Sequence, residues 1–368
     1  MNTDELRRII GNKNLNFIGQ CGSVLQMNGV NAAIYYLESK GVEINGVVLL
    51  CTSKTLTIDD YKKNYFLQRK NIRYITVDNA IVFHDSFEKI DVFRRALITK
   101  RKLEPVYFVG ANLIHSIYYS ILKRGKRAIY VEIDDGIENY LNRHKEFMII
   151  DFAGKNIPKT QLPIKYFKRV ISDISYNMLY SIVKTKGNYD GALILNKHVR
   201  PLRRNEEIIR CYHTVLNENG SKLKYSELKH LENSVIIVGN GNDDIKLLSE
   251  LVRMLTGSDV TVVFKPHPRD KDIERYVNIG CSIFQNESIS LETIVERLDI
   301  KPQSIIGDYS TTLITGKILF DINTISYAKL ICKDEYNKKM TELFFDSFNE
   351  IVMFPDSISE LKSMLRRL

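Results

Sequence analysis

The sequence holds no apolar run long enough to cross a bilayer, and it opens on polar Met1-Asn2-Thr3-Asp4-Glu5 instead of a basic segment followed by an apolar one. This predicts a protein with neither transmembrane anchor nor secretory signal, made and kept in the cytoplasm. Cysteine is sparse: Cys21, Cys51, Cys211, Cys281 and Cys332 form no CxxC pair. An odd, widely spaced set argues against both a disulfide framework and a zinc site. There is no low-complexity tract, no aromatic-rich RNA-binding strand motif, no helix-turn-helix signature and no zinc finger, so nucleic acid is not an expected partner. The opening strand-turn-helix also lacks GxGxxG, so a dinucleotide is not implied.

What is present is an ordinary globular composition, 44% hydrophobic and 26% charged over 368 residues. That length should hold two domains, each with its own core. The net charge is +9, with clusters at Lys123–Arg127, Lys165–Arg169 and Arg200–Arg204. Any one cluster reads as a solvated helix face. Together they fit an anionic partner: a nucleotide, an acidic polymer or an anionic membrane surface.

Apolar runs of strand length alternate with helical stretches along the chain. Strands are expected at Leu15–Gly19, Val47–Cys51, Ile72–Val77, Pro105–Val109, Arg127–Ile133 and Ala192–Asn196. Helices are expected between them at Leu25–Ser39, Asp59–Lys70 and Ser86–Lys100, from Gly110-Ala111-Asn112 to Leu122, and over much of Lys159–Val183. A polar, basic stretch, His198–Glu232, carries the loop signal Asn217-Glu218-Asn219-Gly220-Ser221 and reads as a connection with some local helix. A second alternating series follows, with strands at Val235–Val238, through Lys265, and at Cys281–Phe284, Ser304–Ile306, Ile318–Ile322 and Glu350–Phe354. Its helices are expected at Asp243–Leu255 and Asp270–Val277, from a capped start at Ser288–Glu292, over the stretch reaching Lys317, and at Ser357–Leu368. Such alternation calls for parallel sheets covered on both faces. The fold class is therefore α/β with two Rossmann-like domains, 1–197 and 198–368, the second opening with the connecting segment 198–232.

In open α/β sheets ligands bind beyond the carboxyl ends of the strands, so residues at those ends carry the functional reading. The β-branched run Asp259–Val263 leads into Phe264-Lys265-Pro266-His267-Pro268-Arg269. Two prolines hold His267 in an extended, stiff segment. Flanked by Lys265 and Arg269, its imidazole is suited to a phosphate; the plainer alternative is a turn histidine. Earlier, Glu132-Ile133-Asp134-Asp135-Gly136 ends a strand. Alternation puts Glu132 and Asp134 on one face, and Gly136 allows a tight turn. On the triplet alone, a helix cap ranks first, a general base second and a divalent-cation site third. Gly239-Asn240-Gly241-Asn242 follows another strand and suits a phosphate or ribose, or serves as a simple turn. Asp308-Tyr309-Ser310-Thr311-Thr312 leads into a helix, where hydroxyls and amides form either a phosphate cradle or a Ser/Thr cap.

Taken in order, Asp134-Asp135-Gly136, His267-Pro268 and Ser310-Thr311 resemble the acidic-acidic-Gly, His-Pro and Ser/Thr motifs of bacterial sialyltransferases with two Rossmann-like domains, capsular polysialyltransferases among them. Cys21-Gly22-Ser23-Val24-Leu25-Gln26 is similar to the Cys-x-Thr-Pro-Leu-Gln opening of that family, with Ser for Thr and Val for Pro. The resemblance implies a GT-B architecture with the active site in the interdomain cleft, and inverting transfer of sialic acid from CMP-sialic acid without metal or other cofactor. It implies Asp134 as general base and His267 on the leaving phosphate of CMP. Ser310 and Thr311 would hold that phosphate, with Gly239, Asn240, Gly241, Lys265 and Pro268 beside the donor. Glu132, Asp135, Gly136, Ser23 and Gln26 would lie on the acceptor side or behind the base. The implied partners are CMP-sialic acid, a glycan acceptor (possible polyanion included), and an anionic inner-membrane surface or capsule assembly complex, in capsule or lipooligosaccharide synthesis. Two other readings stand beside it. Lys265-Pro266-His267-Pro268 and Asp308-Tyr309-Ser310-Thr311 also resemble CDP-polyol phosphotransferases of teichoic-acid type, and a basic two-domain chain could bind an acidic glycan in an export assembly without catalysis.

Overall fold

Strands such as Val-Val-Leu-Leu-Cys and Val-Ile-Ile-Val are apolar at every position, a pattern stable only where both sheet faces are covered. The computed structural model describes residues 3–52, 69, 71–78, 89–98, 102–111, 113–133, 174, 177–186, 189–190, 206–221, 223–240, 244–256, 260–267, 272–284, 289–331, 335–365 and 367. These runs lie in two parallel sheets. The first contains β1 (Phe17–Cys21), β2 (Gly46–Thr52), β3 (Ile72–Asp78), β4 (Pro105–Gly110), β5 (Arg127–Glu132) and β6 (Tyr189–Asp190), in the order β3-β2-β1-β4-β5-β6. The second contains β7 (Val235–Val238), β8 (Val262–Lys265), β9 (Ser282–Ile283), β10 (Ser304–Gly307) and β11 (Asn323–Ser326), in the order β11-β10-β7-β8-β9. In each sheet the first strand of the series is central and the winding reverses beside it, between β1 and β4 and between β7 and β10. That reversal is the doubly wound topology.

Helices cover the sheets. In the first unit these are α1 (Thr3–Ile10), α2 (Val24–Ser39), α3 (Lys89–Ile98) and α4 (His115–Lys123), with a helical stretch at 177–185. The apolar faces of α1, α3, α4 and the 177–185 stretch close a core around Ile18, Leu49, Phe108, Ile117 and Tyr130, while α2 lies against β1 and β4 through its own buried residues, Val30 among them. The second core gathers Ile237, Leu251, Phe264, Tyr276, Ile306 and Leu361, beneath α6 (Ile245–Thr256) and α10 (Ile358–Leu365), while the short α7 (Leu291–Glu296) precedes α8 (Thr311–Phe320), whose Gly316 packs against Ile305 of β10 and Thr324 of β11. The chain forms two compact units, Met1–Asp135 with Lys155–Val215, and Gly136–Gly154 with Leu216–Leu368. The division falls inside α5 (Glu206–Gly220).

Several elements depart from the sequence expectation for identifiable reasons. β1 begins at Phe17 instead of Leu15, because the Leu15 N–H closes a turn onto the Asn12 carbonyl at 3.3 Å. The Asn217–Ser221 loop signal lies in α5 up to Gly220, where close packing calls for glycine: an added Cβ would stand 2.6 Å from Arg297 Cγ. Ile318–Ile322 is not a strand. α8 runs to Phe320, Asp321 caps it in the left-handed region at φ 54°, and β11 starts at Asn323. With Leu313, Ile314 and Leu319 all buried, that stretch has no polar face to betray its helical period. Glu350–Phe354 makes only an isolated bridge, Met353 to Ile325. Asp270–Val277 contains one 3-10 turn, Ile273–Tyr276. α1 and α9 (Glu335–Phe348) were not foreseen. The expected helix at Asp59–Lys70 lies outside the described residues except Arg69, and the expected strand at Ala192–Asn196 lies wholly outside them. Cys21, Cys51, Cys211 and Cys281 are free thiols.

Candidate active site

Strand register decides which loop residues meet. In the second sheet Val238 pairs with Lys265, and Ile237 with Ile306, so β8, β7 and β10 end level with one another. Neighbouring strands lie about 4.8 Å apart. The segments that follow them therefore emerge side by side: Gly239-Asn240 from β7, Pro266-His267 from β8, and Asp308-Tyr309-Ser310 from β10. Gly307, last in β10, sits so close to β7 that an added Cβ would stand 2.7 Å from Val238 Cγ2.

These ends are tied together. The Gly239 N–H donates to the Lys265 carbonyl at 2.9 Å. Across the winding reversal, Asn240 Nδ2 donates to Asp308 Oδ2. Asp308 is buried, and its carbonyl accepts from Ser326 Oγ. Tyr309 Oη donates to Asn337 Oδ1 of α9 at 2.8 Å, while the Tyr327 N–H donates to the Gly307 carbonyl at 2.8 Å. A loop fixed at this many points presents its hydroxyls and amides in one geometry, which is what a binding site needs.

Ser310 is the N-cap of α8. Its backbone is extended, and its Oγ accepts from the Thr312 N–H at 3.3 Å. Capping uses the oxygen as an acceptor and leaves the hydroxyl hydrogen to donate elsewhere. The cap and the phosphate cradle are thus compatible uses of one side chain. Thr311 is the first residue of α8, where free amides and the helix dipole favour an anion. Lys265 is buried at 6% exposure, and His267 is half-buried two residues further on. Beneath them Phe264 packs on fully buried Tyr276, with ring centroids 4.4 Å apart. Gly241 and Pro268 lie outside the described residues.

The first unit offers different chemistry at the same sheet edge. Glu132, last in β5, is 1% exposed, and its Oε2 accepts from Tyr180 Oη at 2.7 Å. A buried carboxylate is tolerable only with such a donor. Asp134, Asp135 and Gly136 lie outside the described residues; Glu132 and Ile133 are the last described positions before them. Ser23 caps α2 by accepting from the Gln26 N–H at 3.2 Å, and Gln26 Oε1 takes the Gly22 N–H. This reciprocal arrangement closes the β1–α2 turn much as a capping box does. Beside it Gln20 Nε2 reaches Cys51 Sγ at 3.4 Å. Burial is the main cause lifting both neighbouring thiols, Cys21 well above its ordinary range and Cys51 to about 11. Both stay protonated near neutrality, so Cys21 is a packing residue and not a nucleophile.

Sequence reading missed Tyr180, Ser326 and Asn337, which anchor the strand ends from distant parts of the chain. Their partners are 48, 18 and 28 residues away, and no local pattern marks them. Of the basic clusters, Lys123–Arg127 is partly engaged internally: Arg124 Nη1 donates to the Asn12 carbonyl, and Lys126 pairs with Glu104. The clusters at 165–169 and 200–204 lie outside the described residues.

A family model described as alpha-2,8-polysialyltransferase matches residues 14–329. A Photobacterium sp. JT-ISH-224 2,6-sialyltransferase, solved in a ternary complex with CMP and lactose, is 14% identical, with a TM-score of 0.50, over 92% of this chain and 78% of that one. The GT-B domain of a Photobacterium damselae sialyltransferase is 11% identical, TM-score 0.41, over 92% of this chain and 99% of that one. The wall teichoic acid polymerase TagF is 14% identical, TM-score 0.44, over 99% and 93% respectively. No curated protein sequence matches. The fold is that of the GT-B glycosyltransferases.

Proposed function

The chain belongs to the alpha-2,8-polysialyltransferase family, and from that premise we propose that it transfers sialic acid from CMP-sialic acid to a sialylated glycan, inverting the anomeric centre. The observation that carries this reading is the convergence of His267, Gly239-Asn240 and the Ser310-Thr311 helix start at adjacent strand ends of the second sheet. A single phosphate suits such a set. Ser310 donates its hydroxyl hydrogen, α8 supplies its N-terminal amides, and His267 donates to or protonates the oxygen on which charge develops. In the reaction the acceptor hydroxyl oxygen bonds to the anomeric carbon as the bond from that carbon to the phosphate oxygen breaks. The hydroxyl proton goes to Asp134, and CMP leaves with its phosphate held by the second unit. Glu132, two residues before Asp134, keeps the end of β5 in place through Tyr180.

Donor preference and metal use are tested together. The purified protein, given a sialylated acceptor and either CMP-sialic acid or CDP-glycerol, should release CMP from the first and leave the second intact. EDTA should not slow it, since hydroxyls, imidazole and a helix terminus can carry the phosphate charge. Turnover of CDP-glycerol alone would replace the reading with polyol-phosphate transfer. Loss on chelation with recovery on magnesium would replace the metal-free mechanism. No release from either donor, with glycan binding retained, would make the chain a binding protein.

A further inference from the structure

A polar cavity lies at the amino-terminal end of the first sheet. Its volume is about 540 Å³, within the range that holds small ligands. It opens at the amino-terminal ends of β1, β2 and β3, under α1, with Arg8, Arg73, Asn12, Asn14, Asn45 and Asn71 around it. In a parallel sheet this end is one strand length from the carboxyl ends, about 20 Å for the seven residues of β2. It is therefore separate from the strand ends assigned to catalysis.

The lining chemistry is selective. Arg8 and Arg73 are exposed, and neither makes an ion pair among the described residues, so both planar forks are open to a carboxylate. Four asparagines supply amide donors and acceptors, the pairing that hydroxyl and acylamino groups require. Buried Leu15 and Val47 give the cavity an apolar floor, suited to the C–H face of a sugar. One acidic residue, Glu5, lines the cavity with the two arginines. Behind the Asn12 turn, Arg124 adds positive charge; its Nε and Nη2 are buried without a hydrogen-bond partner among the described residues.

The walls are also preorganised. The Asn45 N–H donates to Asn16 Oδ1 at 2.8 Å, Asn45 Nδ2 to the Asn14 carbonyl at 3.1 Å, and the Asn14 N–H to Asn12 Oδ1 at 3.0 Å. The Gly46 N–H donates to the Asn71 carbonyl at 2.9 Å. Gly46 has to be glycine, because an added Cβ would stand 2.6 Å from the Phe17 carbonyl oxygen. The asparagine-bearing turns are thus held to one another before any ligand arrives.

We propose that this cavity is a second glycan site, which grips a sialic acid residue of the acceptor or product chain remote from the reacting end. The proposal rests on the sialyl-transfer reading for its choice of sugar. A concave, asparagine-rich cavity with guanidinium forks matches a carboxylated, acylated sugar better than a lipid headgroup, which would call for a lysine-rich face with exposed apolar groups. An oligomer must be long to reach from the strand carboxyl ends to this site, so short acceptors gain nothing from it.

The test compares wild type with the Arg8→Ala/Arg73→Ala double variant. A sialic acid dimer and a long sialic acid oligomer are the probes, read both by direct binding and by transfer kinetics. Both substitutions are at exposed positions, so melting temperature should not change. Affinity and KM for the long oligomer should weaken roughly tenfold, the scale of two partly screened ionic contacts, with kcat and the dimer's KM unchanged. Arg→Lys at both positions should restore only part of the loss. Unchanged affinity for the long oligomer overturns the proposal. So does an equal loss with the dimer, which would place the effect at the reacting end. Loss of binding to anionic vesicles with oligomer binding intact would overturn it in favour of a membrane contact. Oligomer binding through these arginines without any transfer would uphold the cavity and overturn the enzymatic reading, so the two failures are distinguishable.

Discussion

The two units share one winding and differ in what they place at the carboxyl ends of their strands. In the second unit those ends carry Lys265, His267, Asn240, the Ser310 cap and buried Asp308, whose carboxylate is held by Asn240, a set in which hydrogen-bond donors outnumber the carboxylate. In the first unit the described ends carry Gln20, two protonated thiols and Glu132, with the Asp134-Asp135 pair next in sequence. Among the described residues the first unit buries amides around its opening strand and helix, Gln20, Gln26, Asn28 and Asn31, whereas the buried uncharged polar side chains of the second unit are mostly Ser and Thr. Nothing in the structure explains Asn31, whose side chain has no hydrogen-bond partner among the described residues. A common scaffold thus carries different chemistry at its two edges, a buried carboxylate held by a tyrosine in the first unit and a loop set rich in hydrogen-bond donors in the second.

Separating the two roles should be possible by mutation. Asp134→Asn should reduce transfer by about a hundred- to ten-thousandfold, the usual worth of a positioned base, while CMP binding, proposed for the second unit, should be unchanged. His267→Ala should lower both CMP affinity and kcat, because its effect falls on the leaving phosphate. Titration calorimetry with CMP beside initial rates reads the contrast. Weak CMP binding in the Asp134 variant would show that the division between units is drawn in the wrong place.

Smaller effects should sharpen the same contrast. Tyr180→Phe removes the donor to a buried carboxylate and should destabilise the protein by about 1–3 kcal/mol, seen as a lower denaturant midpoint, with CMP affinity intact. Ser310→Ala removes an N-cap, typically worth about 1 kcal/mol, and should also weaken CMP binding, with Ser310→Thr recovering both. A Ser310 variant that loses stability and keeps full CMP affinity would reduce that residue to a cap. The least effect is expected from thiol reagents. At mildly alkaline pH the native protein should alkylate Cys21 and Cys51 far more slowly than the unfolded chain, because burial keeps both thiols protonated and shielded. Rapid labelling of either, followed by mass spectrometry, would contradict the packing role given to the first unit's strand ends.

Much of the fold was legible because buried parallel strands are written as unbroken apolar runs. Val47–Cys51, Arg127–Ile133 and Val235–Val238 each reappear within a residue or two of their expected bounds. Reading failed for two different reasons. No residue of α8 is exposed, so its apolar last turn reads as a strand. In α5 the helical period is present in buried Ile208, Ile209, Tyr212, Val215 and Leu216, but the polar and basic residues between them read as a connection.

At the candidate site, the sequence by itself determined which residue types follow which strand: His267 between two prolines, Ser310 before an apolar helix, two acids before Gly136. These are local facts, encoded by neighbours along the chain. Tertiary structure alone decided that β7, β8 and β10 end level, so that residues 239, 267 and 310 share one edge. The Ser310 cap is a local feature already legible before an apolar helix, whereas tertiary structure alone enlisted Tyr180, Ser326 and Asn337 as supports. The cavity between Arg8 and Arg73 belongs to this second class as well. Its walls come from three separate stretches of chain, and strand pairing, not sequence proximity, is what brings asparagines 14, 45 and 71 to one rim.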